Sequence, residues 1–220
     1  MVNALQQSAH DLLKTDRYNK AALPQLTECV QSQVADGWYD VEINLAILKL
    51  YQFHPSEAEG LVDMDVLLKI LVKALMQMPN PDFKLCLYLV PAQYQDYDSI
   101  TSLTELAQKL ETCQFVPFWQ HLEKKSEILA VVPGLDTALR KTIFDTVALT
   151  YQEIPSKVLS EFLNIPVHRV PEEFPQVTLD GDRFILPLSP NNQAKPKMAT
   201  TRGVELQLPQ LAPVLSNSLY

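Results

Sequence analysis

"YDVEINLAILKLYQFHP", Tyr39 to Pro55, is mostly apolar and holds no nucleophile and no glycine loop. At about 100° per residue, Glu42, Lys49 and Gln52 fall on one narrow polar stripe. Apolar side chains fill most of the remaining circumference, so several neighbours must cover this helix. Asp40 offers a side-chain oxygen to the free amides of the first turn, and Pro55 stops the helix. Asn44 lies off the stripe, on the apolar side. An unpaired buried amide costs roughly 1–3 kcal/mol, so Asn44 is expected to be buried and hydrogen-bonded.

A second helix of the same kind follows. In "MDVLLKILVKALMQM" (64–78), Asp65, Lys69, Lys73 and Gln77 stand at i, i+4 spacing and form a single stripe. Asp63 is its expected N-cap, and Pro79 its stop. Two such helices in succession imply stacked helices. Working outward, the pattern predicts eight helical segments, near 3–14, 20–35, 40–54, 64–78, 82–95, 99–112, 117–131 and 136–152. Gly37, Gly60 and Gly134 mark turns between them. Helix starts recur in pairs about 35–42 residues apart, the spacing of helical-repeat architectures.

The grammar changes after residue 152. "PSKVLSEFLN" (155–164) is a short amphipathic helix, and "VHRVPEEF" (167–174) a proline-interrupted one. In "QVTLDGDRFILPL", Asp180–Gly181 lies between two β-rich runs, which predicts a hairpin with a type I′ turn. The expected fold is therefore mainly α: a HEAT-like helical-repeat stack over 1–152, a C-terminal winged helix with a small β-hairpin over 153–188, and a flexible tail over 189–220. The tail is polar at "SPNNQAKPKMATTRG" and apolar at "VELQLPQLAPVLS", where two prolines oppose a long helix.

Composition narrows the function. The chain has 220 residues, 47% of them hydrophobic, and a net charge of −8. Five glycines fall well below the usual frequency of roughly 7%, which disfavours phosphate-cradling loops. Three widely spaced cysteines, Cys29, Cys86 and Cys113, fit reduced thiols better than a disulfide framework. No leader peptide and no membrane span is read, so a soluble, cytoplasmic protein is expected, with room for a nuclear pool. Between Glu153 and Leu188 three cations face six anions, a balance of −3. A groove-reading helix needs a basic face, so DNA is excluded as a partner and direct RNA binding is weak or absent. Lys195 and Lys197 are the cations left for a weak RNA contact.

No catalytic chemistry stands out. His10, His54, His121 and His168 lie far apart, without the close ligand pairs of zinc sites, so no metal or cofactor is expected. Cys113 and His121 lie eight residues apart across a helix boundary. Cys113, beside Phe115, Phe118 and Trp119, reads as a small buried hydrophobe rather than a nucleophile. The three aromatics themselves read as core. Leu159, Phe162, Phe184 and Leu186 are candidates for partner binding; from sequence they could equally be core.

Four ordered stretches carry a resemblance: "YDVEINLAILKLYQFHP", "DFKLCLYLV" (82–90), "LETCQFVPFWQHLEKKSEIL" (110–129) and "LRKTIFDTVALTYQEI" (139–154). Together they closely resemble the k-subunit family of eukaryotic translation initiation factor 3, of the PCI group, over roughly residues 10–165. The resemblance implies a helical-repeat domain followed by a winged helix. It also implies a non-catalytic scaffold or accessory subunit, with the l subunit as nearest neighbour and the small ribosomal subunit as the platform for mRNA recruitment. The alternative within the group is a subunit of the proteasome lid or signalosome. The chain departs from the family after Asn164, where "IPVHRVPEEFPQ" is short and proline-rich, and again beyond Lys197.

Overall fold

A computed structural model describes residues 4–54 and 62–193. The described chain is mainly helical, with one small three-stranded sheet. Pro55, Gly60 and residues 194–220, on which some of the expectations rested, lie outside the described residues.

The helices begin where capping chemistry is available. After α1 (Ala4–Asp16) and a single 3₁₀ turn at Lys20–Ala22 comes α2 (Leu23–Ala35), with Pro24 in its first turn. Next come α3 (Val41–Phe53) and α4 (Met64–Leu75). The Asp40 side chain accepts from the amides of Glu42 and Ile43, and the Asp63 side chain from those of Asp65 and Val66. Both expected N-caps are therefore present. Gly37 and Gly134 take positive φ, which opens their turns at little steric cost.

Two expected helices are each divided. The 82–95 segment becomes α5 (Asp82–Leu89) and α6 (Ala92–Gln95). Pro91 is the cause. It lacks an amide hydrogen and pushes Val90 into extended backbone (φ −63°, ψ 125°). After α7 (Asp98–Glu111), the 117–131 segment becomes α8 (Phe115–Lys124) and α9 (Ser126–Val131), broken at Lys125. Then α10 (Leu135–Thr150) runs to the sheet.

The centre of the stack is α4, which packs against α2, α3, α5, α7 and α9. Its Leu67, Ile70, Leu71 and Leu75 are fully buried, each contributing about 1.5–3 kcal/mol of apolar transfer. Lys73 departs from the expected solvent stripe. It is 3% exposed, and its ammonium donates to the Gln33 carbonyl at 3.0 Å. That carbonyl is in the last turn of α2, where a cation is favourable.

Beyond α10 the order is β1 (Glu153–Pro155), α11 (Ser156–Leu163), a 3₁₀ turn at Val167–Arg169, α12 (Val170–Glu173), β2 (Thr178–Asp180) and β3 (Arg183–Ile185). The sheet is antiparallel in the order β1-β3-β2. β1 was not legible in the sequence, being three residues long and ending in proline. The hairpin is present but its turn differs from expectation. Asp180 pairs with Arg183, so Gly181 and Asp182 are the two central residues. Only Gly181 takes positive φ, whereas type I′ needs it at both centres.

Candidate functional site

The residues singled out for partner contact converge on the sheet and the helix beneath it. Cross-strand register places Ile154, Phe184 and Leu179 in one row across the three strands. Ile154 and Phe184 are buried, while Leu179, at the β2 end of the row, is 50% exposed. Leu159, Phe184 and Leu186 are core residues, not surface ones. Phe162 is half-buried, its ring edge-on to Phe115 at 5.4 Å. Of the two readings the sequence left open, the structure therefore places three of the four in the core. All three lie buried where the sheet packs on α11.

What the sheet does present is an edge. β3 is central, and β2 has no strand on its outer side among the described residues. The direction of its backbone groups follows from the pairing. The Asp182 carbonyl and the Leu186 amide both bond toward the β1 side, to Ser156 and Gln152. Alternation then turns Phe184 toward β1, and Arg183 and Ile185 toward β2. Thr178 and Asp180 answer Ile185 and Arg183, which leaves the N–H and C=O of Leu179 pointing out of the sheet. Neither lysine nor proline blunts this strand, and an apolar side chain stands in its middle.

The sheet unit is fastened to the helical stack by a polar and aromatic seam. The Trp119 indole N–H donates to the Phe162 carbonyl at 2.8 Å, and Arg140 Nε to the Leu163 carbonyl at 3.2 Å. Both carbonyls belong to the end of α11, whose last turn has no intrahelical donors to offer them. Asn164 closes that end in left-handed backbone (φ 52°). Arg140 also lies over the Trp119 ring at 5.5 Å and is held by Asp136 at 2.9 Å. On the other flank Phe144 stacks on Phe174 at 4.3 Å. Phe115, Phe118 and Trp119 are buried here, as core filling requires. Ser189 and Asn192, read from sequence as the start of the tail, continue the seam. Asn192 Nδ2 donates to the carbonyls of Ala148, Tyr151 and Pro187.

Other sites tested from sequence do not assemble. Cys113 is exposed, not buried, because it takes positive φ (56°) in the link between α7 and α8 and so turns out of the aromatic cluster beside it. His121 is engaged elsewhere, 3.2 Å from Lys109 Nζ and 3.3 Å from Glu105 Oε2. Cys29 and Cys86 are buried, and burial pushes the Cys86 thiol up to about 12. Among the described residues no cluster of His, Cys, Asp and Glu could hold a metal ion, and no helix is long and apolar enough to cross a membrane.

Residues 62–198 match the CSN8/PSMD8/EIF3K family model. The chain is 37% identical over 164 residues to eukaryotic translation initiation factor 3 subunit K of Homo sapiens, covering 74% of this chain and 73% of that protein. It is 39% identical over 148 residues to the Xenopus laevis subunit K, covering 67% and 66%. The Nematostella vectensis subunit K is 37% identical over 164 residues, 74% of each chain. The chain belongs to the CSN8/PSMD8/EIF3K family, alongside the subunit K proteins of eukaryotic translation initiation factor 3.

Proposed function

We propose that the chain is a non-catalytic scaffold or accessory subunit of eukaryotic translation initiation factor 3. In this role it acts in assembly of the small-ribosomal-subunit preinitiation complex and in mRNA recruitment, through protein–protein contacts. The observation that carries the reading is the similarity to subunit K proteins across about three quarters of both chains. The finer architecture is part of the same reading: a HEAT-like repeat domain over 1–152, a winged helix over 153–188 and a tail over 189–220. The strand–helix–helix–hairpin order after α10 and the β1-β3-β2 sheet support the winged helix.

Leu159, Phe162, Phe184 and Leu186 shape the contact surface from beneath, and the β2 edge with Leu179 receives a strand of the neighbouring subunit, subunit l. Such pairing satisfies outward backbone groups and covers the exposed leucine. Direct RNA binding is weak or absent, given the −3 balance of this region, and DNA and membrane are not partners. The working place is the cytoplasm.

Affinity purification of the tagged full chain from cells tests the assignment. Initiation-factor subunits are expected, whereas lid or signalosome subunits in their place would overturn it. That rival stands because the matched family also spans CSN8 and PSMD8. Leu179→Pro tests the edge. Proline removes the outward N–H while leaving the ladder to β3 intact, so it is tolerated on an edge strand. Loss of subunit l from the purified complex is expected; unchanged recovery would rule out strand pairing at β2.

A further inference from the structure

On α3 and α5 a second surface has no covering element among the described residues. Leu45, Lys49 and Phe53 form an i, i+4, i+8 stripe on α3, and Leu85, Tyr88 and Leu89 an i, i+3, i+4 stripe on α5. The two helices pack together, and a cavity of about 360 Å³ lies between Tyr18, Val41, Leu45, Ala46, Lys49 and Leu89. Tyr18 is 61% exposed and Tyr88 77%, and Phe53 and Leu85 are exposed too. The Tyr18 and Phe53 rings meet edge to face at 5.6 Å, with Lys49 Nζ 5.0 Å above the Phe53 ring. Exposed apolar residues grouped in this way mark an interaction surface.

We propose that this α3–α5 groove binds an amphipathic helix of another subunit, one that sets a carboxylate beside Lys49; this rests on the complex membership proposed above. A helix fits because the groove runs between two helices and offers no strand edge. An extended segment would find no backbone partners there, whereas a helix arrives with its own backbone bonds made. The acidic partner follows from charge. Arg17, at one end, is already paired with Glu42. Lys49 touches Gln52 Oε1 and the Phe53 ring but no carboxylate among the described residues. A second copy fits poorly: two chains of −8 repel, and a two-fold contact through this face would set Lys49 near Lys49. The chain's own "VELQLPQLAPVLS" carries Pro209 and Pro213, which interrupt a helix.

The test places a photo-crosslinking benzoylphenylalanine at Tyr88 in the full chain and irradiates the purified initiation-factor complex. The expected product joins residue 88 to a peptide of another subunit that has helical apolar spacing and an acidic residue. Lys49→Glu is expected to lower its yield at least several-fold, while Lys49→Arg leaves it unchanged. No intersubunit product, a product with a second copy or with the chain's own residues, or indifference to Lys49→Glu would each overturn the proposal. A complex that forms normally while position 88 stays uncrosslinked sinks this inference alone. Failure of the chain to enter any initiation-factor complex sinks the function reading as well.

Discussion

Gln33 and Asn44 bond each other twice in the core. Gln33 Nε2 donates to Asn44 Oδ1 at 2.9 Å, and Asn44 Nδ2 to Gln33 Oε1 at 3.1 Å, with both residues fully buried. The pair sets the register of α3 on α2. Gln33 Oε1 accepts the Asp40 amide as well, which ties the pair to the start of α3. Asn44→Ala strands the Gln33 amide without its main acceptor and leaves a small cavity. A loss of about 2–4 kcal/mol in urea unfolding is expected. Replacing both residues with leucine is expected to recover part of that loss, because the two buried amide side chains are removed together and only the part-buried Asp40 amide loses an acceptor.

Asp40 does two jobs at once. Its Oδ1 caps α3, while Oδ2 accepts from Gln6 at 2.8 Å and meets His10 at 2.7 Å, so α1 is moored to the α3 N-terminus. Burial raises the Asp40 carboxyl, but the bonds from Gln6, the Ile43 amide and His10 outweigh it and hold the group below its ordinary value. A carboxylate with a depressed folded pKa stabilises fully above its unfolded value, about 3.9, and loses that contribution as pH falls through the folded value. Asp40→Ala is expected to cost about 1–2 kcal/mol at pH 7 through the cap alone. Asp40→Asn keeps most of the cap. The stability gap between wild type and Asp40→Asn is expected to shrink as pH drops below about 4 in urea titrations.

These two positions also show what the sequence makes legible. Asp40, Asp63 and Asn44 were readable because each is a polar residue whose place in a periodic pattern dictates one local task. The failures are equally physical. Lys73 sits in register with Asp65 and Lys69, so periodicity puts it on the solvent stripe. Only the tertiary position of α2's last turn draws it inside. Cys113 reads as buried from its aromatic neighbours, yet one residue in left-handed backbone turns it out. Val90–Pro91 was a readable break that the apolar pattern overrode. At the candidate site the sequence located the hairpin and its apolar residues. It could not separate Leu159 and Phe184, which are core, from Leu179, which is edge, because that separation depends on β1 pairing with β3.

Lys73 gives a pH signature of the same sign as Asp40, but in the alkaline range and from a charge that burial disfavours. Burial lowers its pKa below the usual 10.5. The folded protein therefore sheds this proton before the unfolded chain does, and between the two values the unfolded chain binds more protons. Stability from this group rises with pH across that window. Lys73→Met keeps the stem and removes the charge, so a change within about 1 kcal/mol at pH 7 is expected. The balance between the two proteins should then move toward wild type as pH rises toward 10. A large loss at pH 7 would mean that capping of the Gln33 carbonyl outweighs the cost of burying the ammonium.

The seam at Trp119 and Arg140 is expected to make the sheet unit and the helical stack unfold together. Trp119→Phe leaves the Phe162 carbonyl without its donor, and Arg140→Met does the same for Leu163, at about 1–3 kcal/mol each. The ring and guanidinium touch, so the double variant is expected to cost less than the two single losses combined, by about 0.5–3 kcal/mol. Amide exchange reads the consequence. In the wild type, Phe184 in β3 and Ile143 in α10 are expected to exchange through the same global opening. In Trp119→Phe/Arg140→Met, Phe184 should exchange faster than Ile143, as the sheet opens by itself. Removing everything after residue 152 would instead bare Trp119, Phe144 and Arg140 together, so loss of partner binding in that truncation would report a damaged core as readily as a missing contact. If Phe184 and Ile143 remain matched in the double variant, the two units are joined by apolar packing such as Phe144 on Phe174, and the polar seam is dispensable.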